Sequence, residues 1–264
     1  MSSQVFKRKL SAATFVRKSK LIIGLDLVLD TSRTVEAQLE SEKNKLEQKA
    51  LQLIQDTAEH AVAFKFNRHL VLPLGLTDRI PRLIERIHGE GLSAIMDCKI
   101  NDIGNTNEWI AKYYFDAGFD AVIANPFVGW EGGMDSVFEV ARSRMKGVIC
   151  LCYMSHPAAD EGYGLDVKID KKNSEPMYIS FARRAVKWGA DGVIVGATFP
   201  DKIREIKQVV GDEVPIISPG IGAQGGGVRE AMDAGASYVI VARSIVNSDD
   251  PASAASSFAA ETRG

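Results

Sequence analysis

The chain has 264 residues, 45% hydrophobic and 25% charged, with a formal net charge of -2. That balance suits a soluble globular protein with a sizeable core, and it supplies no global electrostatic reason to bind nucleic acid or an anionic membrane. Three cysteines, Cys98, Cys150 and Cys152, lie in apolar runs without a CxxC pair or a His/Cys ligand cluster, so they read as small buried hydrophobes in a reducing, cytoplasmic setting.

No apolar run reaches membrane-spanning length and no signal peptide is visible. Residues 1–20 carry Lys7, Arg8, Lys9, Arg17, Lys18 and Lys20 with no acid. A transit peptide or an arm for an anionic surface would have this charge, but a basic helical extension packed under the domain is the expectation. From there apolar runs of strand type alternate with helical stretches. Strands are expected at 21–27, 61–67, 93–99, 121–125, 147–153, 191–197, 214–219 and 238–243. Helices are expected at 34–60, 77–89, 106–118, 131–144, 174–188, 200–210, 226–234 and 251–262. Eight βα units without a composition break fit one α/β domain over 1–264, a single (β/α)8 TIM barrel.

A barrel concentrates chemistry at the C-terminal ends of its strands and in the loops that follow. The first strand ends in Asp26, and the second carries Lys65 between two phenylalanines. The third runs through Asp97, Cys98 and Lys99; strand alternation puts Asp97 and Lys99 on one face and Cys98 on the other. Asp102 follows beyond the strand end. Charges at the ends of apolar strands are costly unless paired, and Lys65, Asp97, Lys99 and Asp102 could pair one another.

The seventh strand leads into Ser218, Pro219, Gly220, Ile221, Gly222, Ala223, Gln224 and Gly225, a glycine-rich turn before a helix. The eighth ends in Arg243 and Ser244. Loops at these two positions form the recurrent phosphate site of such barrels, where backbone N-H groups and a guanidinium suit a dianion. Ser155 beside His156 lacks the G-x-S-x-G setting of a hydrolase nucleophile and reads as a polar loop contact. His60, His69 and His88 show no metal-ligand spacing. Residues 158–173 are long for a βα loop, which makes them either a candidate lid or a disordered insertion.

Residues 94–107 contain Asp-x-Lys-x-x-Asp-Ile-x-x-Thr from Asp97 to Thr106, and this segment, with the SPGIGAQGG and VARSI runs, resembles the orotidine 5'-phosphate decarboxylase family. GLD at 24–26, FKFN at 64–67 and MSHP at 154–157 resemble family segments in the expected order. Two features depart from the pattern: the run 34–60 is longer and more charged, and Asn125-Pro126 stands where many members have histidine.

The resemblance implies conversion of orotidine 5'-monophosphate to uridine 5'-monophosphate and carbon dioxide, without metal or organic cofactor. It implies that Lys99 stabilises the carbanion and protonates C6, that Asp97 holds Lys99 and itself sits against the substrate carboxylate, and that Asp26 and Lys65 hold ribose hydroxyls and extend the charge array. By the same correspondence Asp102 and Thr106 reach a neighbouring subunit's site in a homodimer, Ser155 meets the pyrimidine, and Pro219, Gly220, Gly222, Gln224, Gly225, Arg243 and Ser244 bind substrate around the phosphate. Two other readings are a magnesium-dependent sugar-phosphate lyase of the same superfamily and a catalytically silent phosphate-ligand binding protein. Ile103, Thr106 and Gln224 favour the decarboxylase over the first, and the intact charge array argues against the second.

Overall fold

The computed structural model describes residues 5–32 and 35–263. Ten strands occur among them: β1 (Leu21–Leu25), β2 (Ala63–Asn67), β3 (Ser93–Ile100), β4 (Ala121–Ala124), β5 (Gly147–Tyr153), β6 (Asp166–Lys168), β7 (Ser174–Pro176), β8 (Gly192–Val195), β9 (Ile216–Pro219) and β10 (Tyr238–Val241). Eight of them pair in parallel and close into the expected barrel, in the order β1, β2, β3, β4, β5, β8, β9, β10 and back to β1. The remaining two, β6 and β7, form a separate antiparallel hairpin. Valine, isoleucine, leucine and alanine fill the barrel strands because helices cover one face and packed side chains the other.

The helices are α1 (Val5–Arg17), α2 (Leu39–Thr57), α3 (Arg68–Leu74), α4 (Ile80–Gly89), α5 (Gly104–Asp116), α6 (Asp135–Ser143), α7 (Asp160–Tyr163), α8 (Met177–Trp188), α9 (Pro200–Val210), α10 (Val228–Asp233), α11 (Arg243–Val246) and α12 (Pro251–Glu261). Sequence periodicity missed α3. The stretch expected as one helix over 77–89 is preceded by this short helix and a wide turn at Gly75–Arg79, because Pro73 lacks an N-H and Gly75 adopts φ +78. The helix expected from 34 begins as a short 3-10 turn at Glu36–Gln38 and then α2; Thr34 lies outside the described residues. The helix expected over 174–188 begins at Met177, since β7 and Pro176 hold the chain extended before it.

The charge of α2 has a structural use. Glu47, buried on this helix, accepts from Arg82 at 2.6 and 3.0 Å and from Arg79 at 2.9 Å, while Glu40 takes the other side of Arg79 at 2.7 Å. Asn44 bonds the same guanidinium. The ion cluster fastens α2 to the turn before α4, which accounts for the charged, lengthened run that departs from the family pattern.

The N-terminal face of the barrel is closed by α1, whose Phe6, Leu10 and Ala13 are buried. A Cβ on Gly147 would stand 2.8 Å from the Phe6 ring, so glycine at the start of β5 is what lets the helix seat. Several cations of this basic stretch are used internally: Lys9 pairs with Asp120 at 2.8 Å, and Arg17 donates to the Glu90 carbonyl at 3.0 Å. Residues 1–4 of the expected extension lie outside the described residues.

Two aspartates tie this floor together. Asp120 accepts from the Ala94 N-H at 2.9 Å, and Asp191 from the Val148 N-H at 3.0 Å, each joining the start of a strand to its neighbour. Burial disfavours both charged forms. Asp120 is compensated by His88 and Lys9, each at 2.8 Å, and its carboxyl is held below the usual range. Asp191 has only the backbone donor, its Oδ1 is buried without a partner among the described residues, and burial pushes its carboxyl up to about 6. The folded state therefore holds this proton more tightly than the unfolded chain. Its contribution to stability is present at low pH and is lost as pH rises through about 6. Between pH 8 and pH 5 the wild type should gain on the order of 1 kcal/mol relative to Asp191→Asn, read from thermal or urea unfolding of both proteins at each pH. A pH-independent difference between them would count against an unpaired carboxylate here.

Candidate active site

A cavity of about 580 Å³ opens at the C-terminal ends of the strands, walled by residues that include Asp26, Lys65, Asp97, Lys99, Ser155, Gln224 and Arg243. Its polar side is built by consecutive strand ends. Asp97 on β3 stands opposite Asn67 on β2, and Lys65, two positions before Asn67 on the same face, reaches it diagonally, with Nζ 3.0 Å from Asp97 Oδ2. Lys99 Nζ lies 2.6 Å from Asp97 Oδ1. Both oxygens of one carboxylate are thus committed to ammoniums. Burial alone would raise the Asp97 carboxyl, but the charges of Lys65 and Lys99 and their hydrogen bonds hold it below its ordinary range.

Lys99 owes its position to a break in the strand. The β3–β4 register passes from Met96↔Val122 to Ile100↔Ala124, so four steps along β3 match two along β4. Within that bulge Lys99 adopts φ +50, a left-handed conformation that non-glycine residues seldom hold. Cys98 points away from the cavity, as alternation requires, with its thiol 3.5 Å from the Ile123 carbonyl. Burial, with Asp97 nearby, pushes that thiol up to about 12, which leaves it protonated and inert.

Asp102 does not join this cluster. No ion pair links it to either lysine among the described residues, and neither Asp102 nor Thr106 lines the cavity, so of the four charges that could pair, only Lys65, Asp97 and Lys99 do so within this chain. The bulge ends at Ile100, and the chain then turns outward. Buried Asn107 fixes the turn: its Oδ1 accepts from the Asp102 N-H at 3.0 Å, and its Nδ2 donates to the carbonyls of Asp102 at 2.5 Å and Gly133 at 3.0 Å. Asp102 consequently stands exposed beside Ile103, Trp109 and Tyr113, large apolar side chains that face solvent.

At the opposite side of the mouth, Pro219, Gly220, Gln224 and Arg243 line the cavity as expected. A Cβ on Gly220, whose φ is +97, would stand 2.8 Å from Ser155 Cβ and 2.9 Å from Gln224 Oε1, so these three residues converge. Gly222 and Gly225, with φ of +68 and +94, are not on the cavity wall; they shape the loop, with the Gly225 N-H donating to the Gly222 carbonyl at 2.7 Å. Ser244 is also off the wall and accepts from the Ala223 N-H at 3.2 Å, pinning the turn to α11. Arg243 is exposed and its guanidinium has no hydrogen-bond or ion-pair partner among the described residues.

Three polar wall residues were missed in the sequence. Asn67 lies two positions beyond Lys65 on the same face, so alternation could have found it; its Oδ1 accepts from Lys65 Nζ at 2.5 Å and its Nδ2 donates to Asp26 Oδ1. Arg68 and His69 ride on α3, and His69 Nε2 stands 3.8 Å from Asp26 Oδ1. The segment 158–173, a lid or a disordered insertion by expectation, folds instead into α7 and the β6–β7 hairpin, and none of it borders the cavity. Tyr163 anchors it through ring contacts with Tyr153 and Phe181.

Residues 19–258 match the family described as orotidine 5'-phosphate decarboxylase / HUMPS. The orotidine 5'-phosphate decarboxylase of Methanosarcina acetivorans is 37% identical over 214 residues, 81% of this chain and 89% of that protein. Among solved structures, the orotidine 5'-monophosphate decarboxylase of Methanocaldococcus jannaschii complexed with the inhibitor BMP aligns with a TM-score of 0.76 at 29% identity, covering 93% of this chain and 99% of the other. The UMP synthase of Leishmania donovani aligns with a TM-score of 0.82 at 26% identity; it covers 97% of this chain, which spans only 55% of that longer protein.

The unpaired Arg243 beside a glycine-rich turn should bind inorganic phosphate. Phosphate is expected to raise the melting temperature of the wild type in a saturable way, and Arg243→Ala should lose most of that rise while keeping its own melting temperature in phosphate-free buffer. Equal phosphate responses of the two proteins would remove Arg243 from the anion site.

Proposed function

The chain belongs to the orotidine 5'-phosphate decarboxylase / HUMPS family and carries the carboxy-lyase activity of its relatives, and we propose that Lys65, Asp97 and Lys99 remove the C6 carboxylate of orotidine 5'-monophosphate to leave uridine 5'-monophosphate. The observation that carries this reading is one carboxylate with both oxygens on lysine ammoniums, at one side of a cavity whose other side holds a glycine-rich turn and an unpaired arginine. One cavity lined by both groups would take a substrate with its reacting ring at the charge array and its phosphate at the turn.

Breaking the bond from C6 to the carboxylate leaves the electron pair on an sp2 carbon with no adjacent electron sink. A fixed cation must meet that charge, and Lys99 supplies both the ammonium and the proton that C6 takes up. Asp97 holds Lys99 in place and faces the substrate carboxylate, a repulsion relieved as carbon dioxide departs. Asp26 and Lys65 hold ribose hydroxyls, Ser155 and Gln224 join the pyrimidine to the phosphate loop, and Arg243 takes the phosphate. Both Asp97 oxygens are already engaged by lysines, which favours direct protonation over the metal-dependent lyase chemistry of the wider superfamily.

The outward turn of Asp102 fits a shared site. In a homodimer, the partner subunit's Asp102 and the partner subunit's Thr106 complete the cavity, and exposed Ile103, Trp109, Tyr113 and Phe127 supply apolar surface for the contact.

Lys99→Ala should lower kcat by more than about a thousandfold with its fold intact, followed by loss of orotidine 5'-monophosphate absorbance, and a chelator should leave wild-type turnover unchanged. Retention of a tenth of the activity would remove Lys99 from the chemistry. Co-refolding Lys99→Ala with Asp102→Ala tests the shared site separately. A mixed dimer has one site with both lesions and one with neither. Random reassortment makes about half the dimers mixed, so activity should return to roughly a quarter of wild type. Mixed dimers no more active than either variant alone would place Asp102 in its own chain's site.

A further inference from the structure

We propose that His69 is a positioning residue that, acting through Asp26, sets the preference for a ribose hydroxyl; this rests on the decarboxylase reading and goes one residue beyond it. His69 Nε2 and Asn67 Nδ2 both address Asp26 Oδ1, at 3.8 Å for the histidine, whereas Oδ2 has no partner among the described residues. One oxygen of the carboxylate is thereby flanked from two sides, and the other is left for a ligand in the cavity that Asp26, Asn67 and His69 all line.

The place of His69 in the chain needs this kind of account. It stands in the first turn of α3, which carries Arg68 and His69 and no acid, although the positive end of a helix favours anions. The histidine side chain is 43% exposed, so packing does not explain it either. What it gains there is reach. The Asn67–Arg68 junction ends β2 and begins α3, so one short segment presents Asn67 to both Lys65 and Asp26 and then His69 to Asp26 from the outer side. The line of contacts runs from Lys99 through Asp97, Lys65 and Asn67 to Asp26, and His69 is its outer end.

A carboxylate with one restrained oxygen presents the other in a fixed direction, so less conformational freedom is lost when a hydroxyl binds. That hydroxyl lies away from the reacting carbon. Its loss should therefore appear in binding and in discrimination between sugars, leaving the chemical step nearly untouched.

The test uses full-length wild type, His69→Ala, His69→Gln, Asp26→Ala and the double variant, with orotidine 5'-monophosphate and its 2'-deoxy and 3'-deoxy analogues. His69→Ala should raise KM for the ribonucleotide roughly two- to fivefold, the range of a partly exposed electrostatic contact, with kcat within about twofold and an unchanged melting temperature. For the analogue lacking the hydroxyl that Asp26 holds, His69→Ala and wild type should be equal. His69→Gln, which keeps an N-H donor, should recover at least half of the lost discrimination, and adding His69→Ala to Asp26→Ala should cost nothing further. Unchanged ribose-to-deoxyribose preference in His69→Ala, or an additive loss in the double variant, overturns the proposal. Should the wild type turn over no orotidine 5'-monophosphate, the decarboxylase reading fails. The positioning role is then judged alone, by calorimetric affinities for uridine 5'-monophosphate and its deoxy analogues in the same variants.

Discussion

Removing an ammonium from water into the end of a barrel costs several kcal/mol unless an anion meets it, and Lys65 and Lys99 are both met by the same anion. Asp97 has two oxygens, and each lysine takes one. Three charges in contact leave a surplus of one positive charge, which the strand ends can hold only where a further anion arrives. Asp26 contributes from the side, through Asn67. An anionic substrate, or a carboxylate from a second subunit, meets the same requirement from above. Either partner of Asp97 removed leaves it bonded to one lysine, and Asp97 removed leaves two ammoniums facing each other, so the geometry is maintained jointly or not at all.

The fold was legible in the sequence because parallel barrel strands are buried on both faces and read as unbroken apolar runs, and all eight were found with ends displaced by at most two residues. The charge array was legible for the converse reason: Lys65, Asp97 and Lys99 interrupt such runs. Asn67 escaped because an asparagine at a strand end is also ordinary turn chemistry. His69 escaped with α3, whose HLVLPLG sequence carries a proline and a glycine that argue against a helix. Asp102 was located, but its direction depends on Asn107, whose side chain holds the loop outward from a position buried within α5. Side-chain alternation along β3 placed Asp97 and Lys99 on one face, yet said nothing of the bulge between them. That bulge follows from the pairing with β4, which is a tertiary fact.

Strain and restraint are distributed unequally over the barrel. The floor is occupied by α1, by buried apolar rings and by aspartates that tie strand starts together, and it can be optimised for stability because nothing must enter there. Even so, Asp191 keeps an under-compensated carboxylate at that end, the cost of capping a backbone N-H where Lys7 and Arg142 act only at a distance and form no ion pair with it among the described residues. The mouth carries the left-handed Lys99, three glycines at positive φ in one loop, and an exposed unpaired Arg243. Each is unfavourable for a protein at rest and each faces, or frames, the same cavity. The proposed phosphate grip and the ammonium proposed to meet C6 lie on different strands, joined through the barrel wall. On that proposal, binding energy gathered at β9 and β10 would reach the chemistry on β3 by fixing where the ring sits against Lys99, and a rigid wall with a strained, pre-set lysine would make that transfer effective.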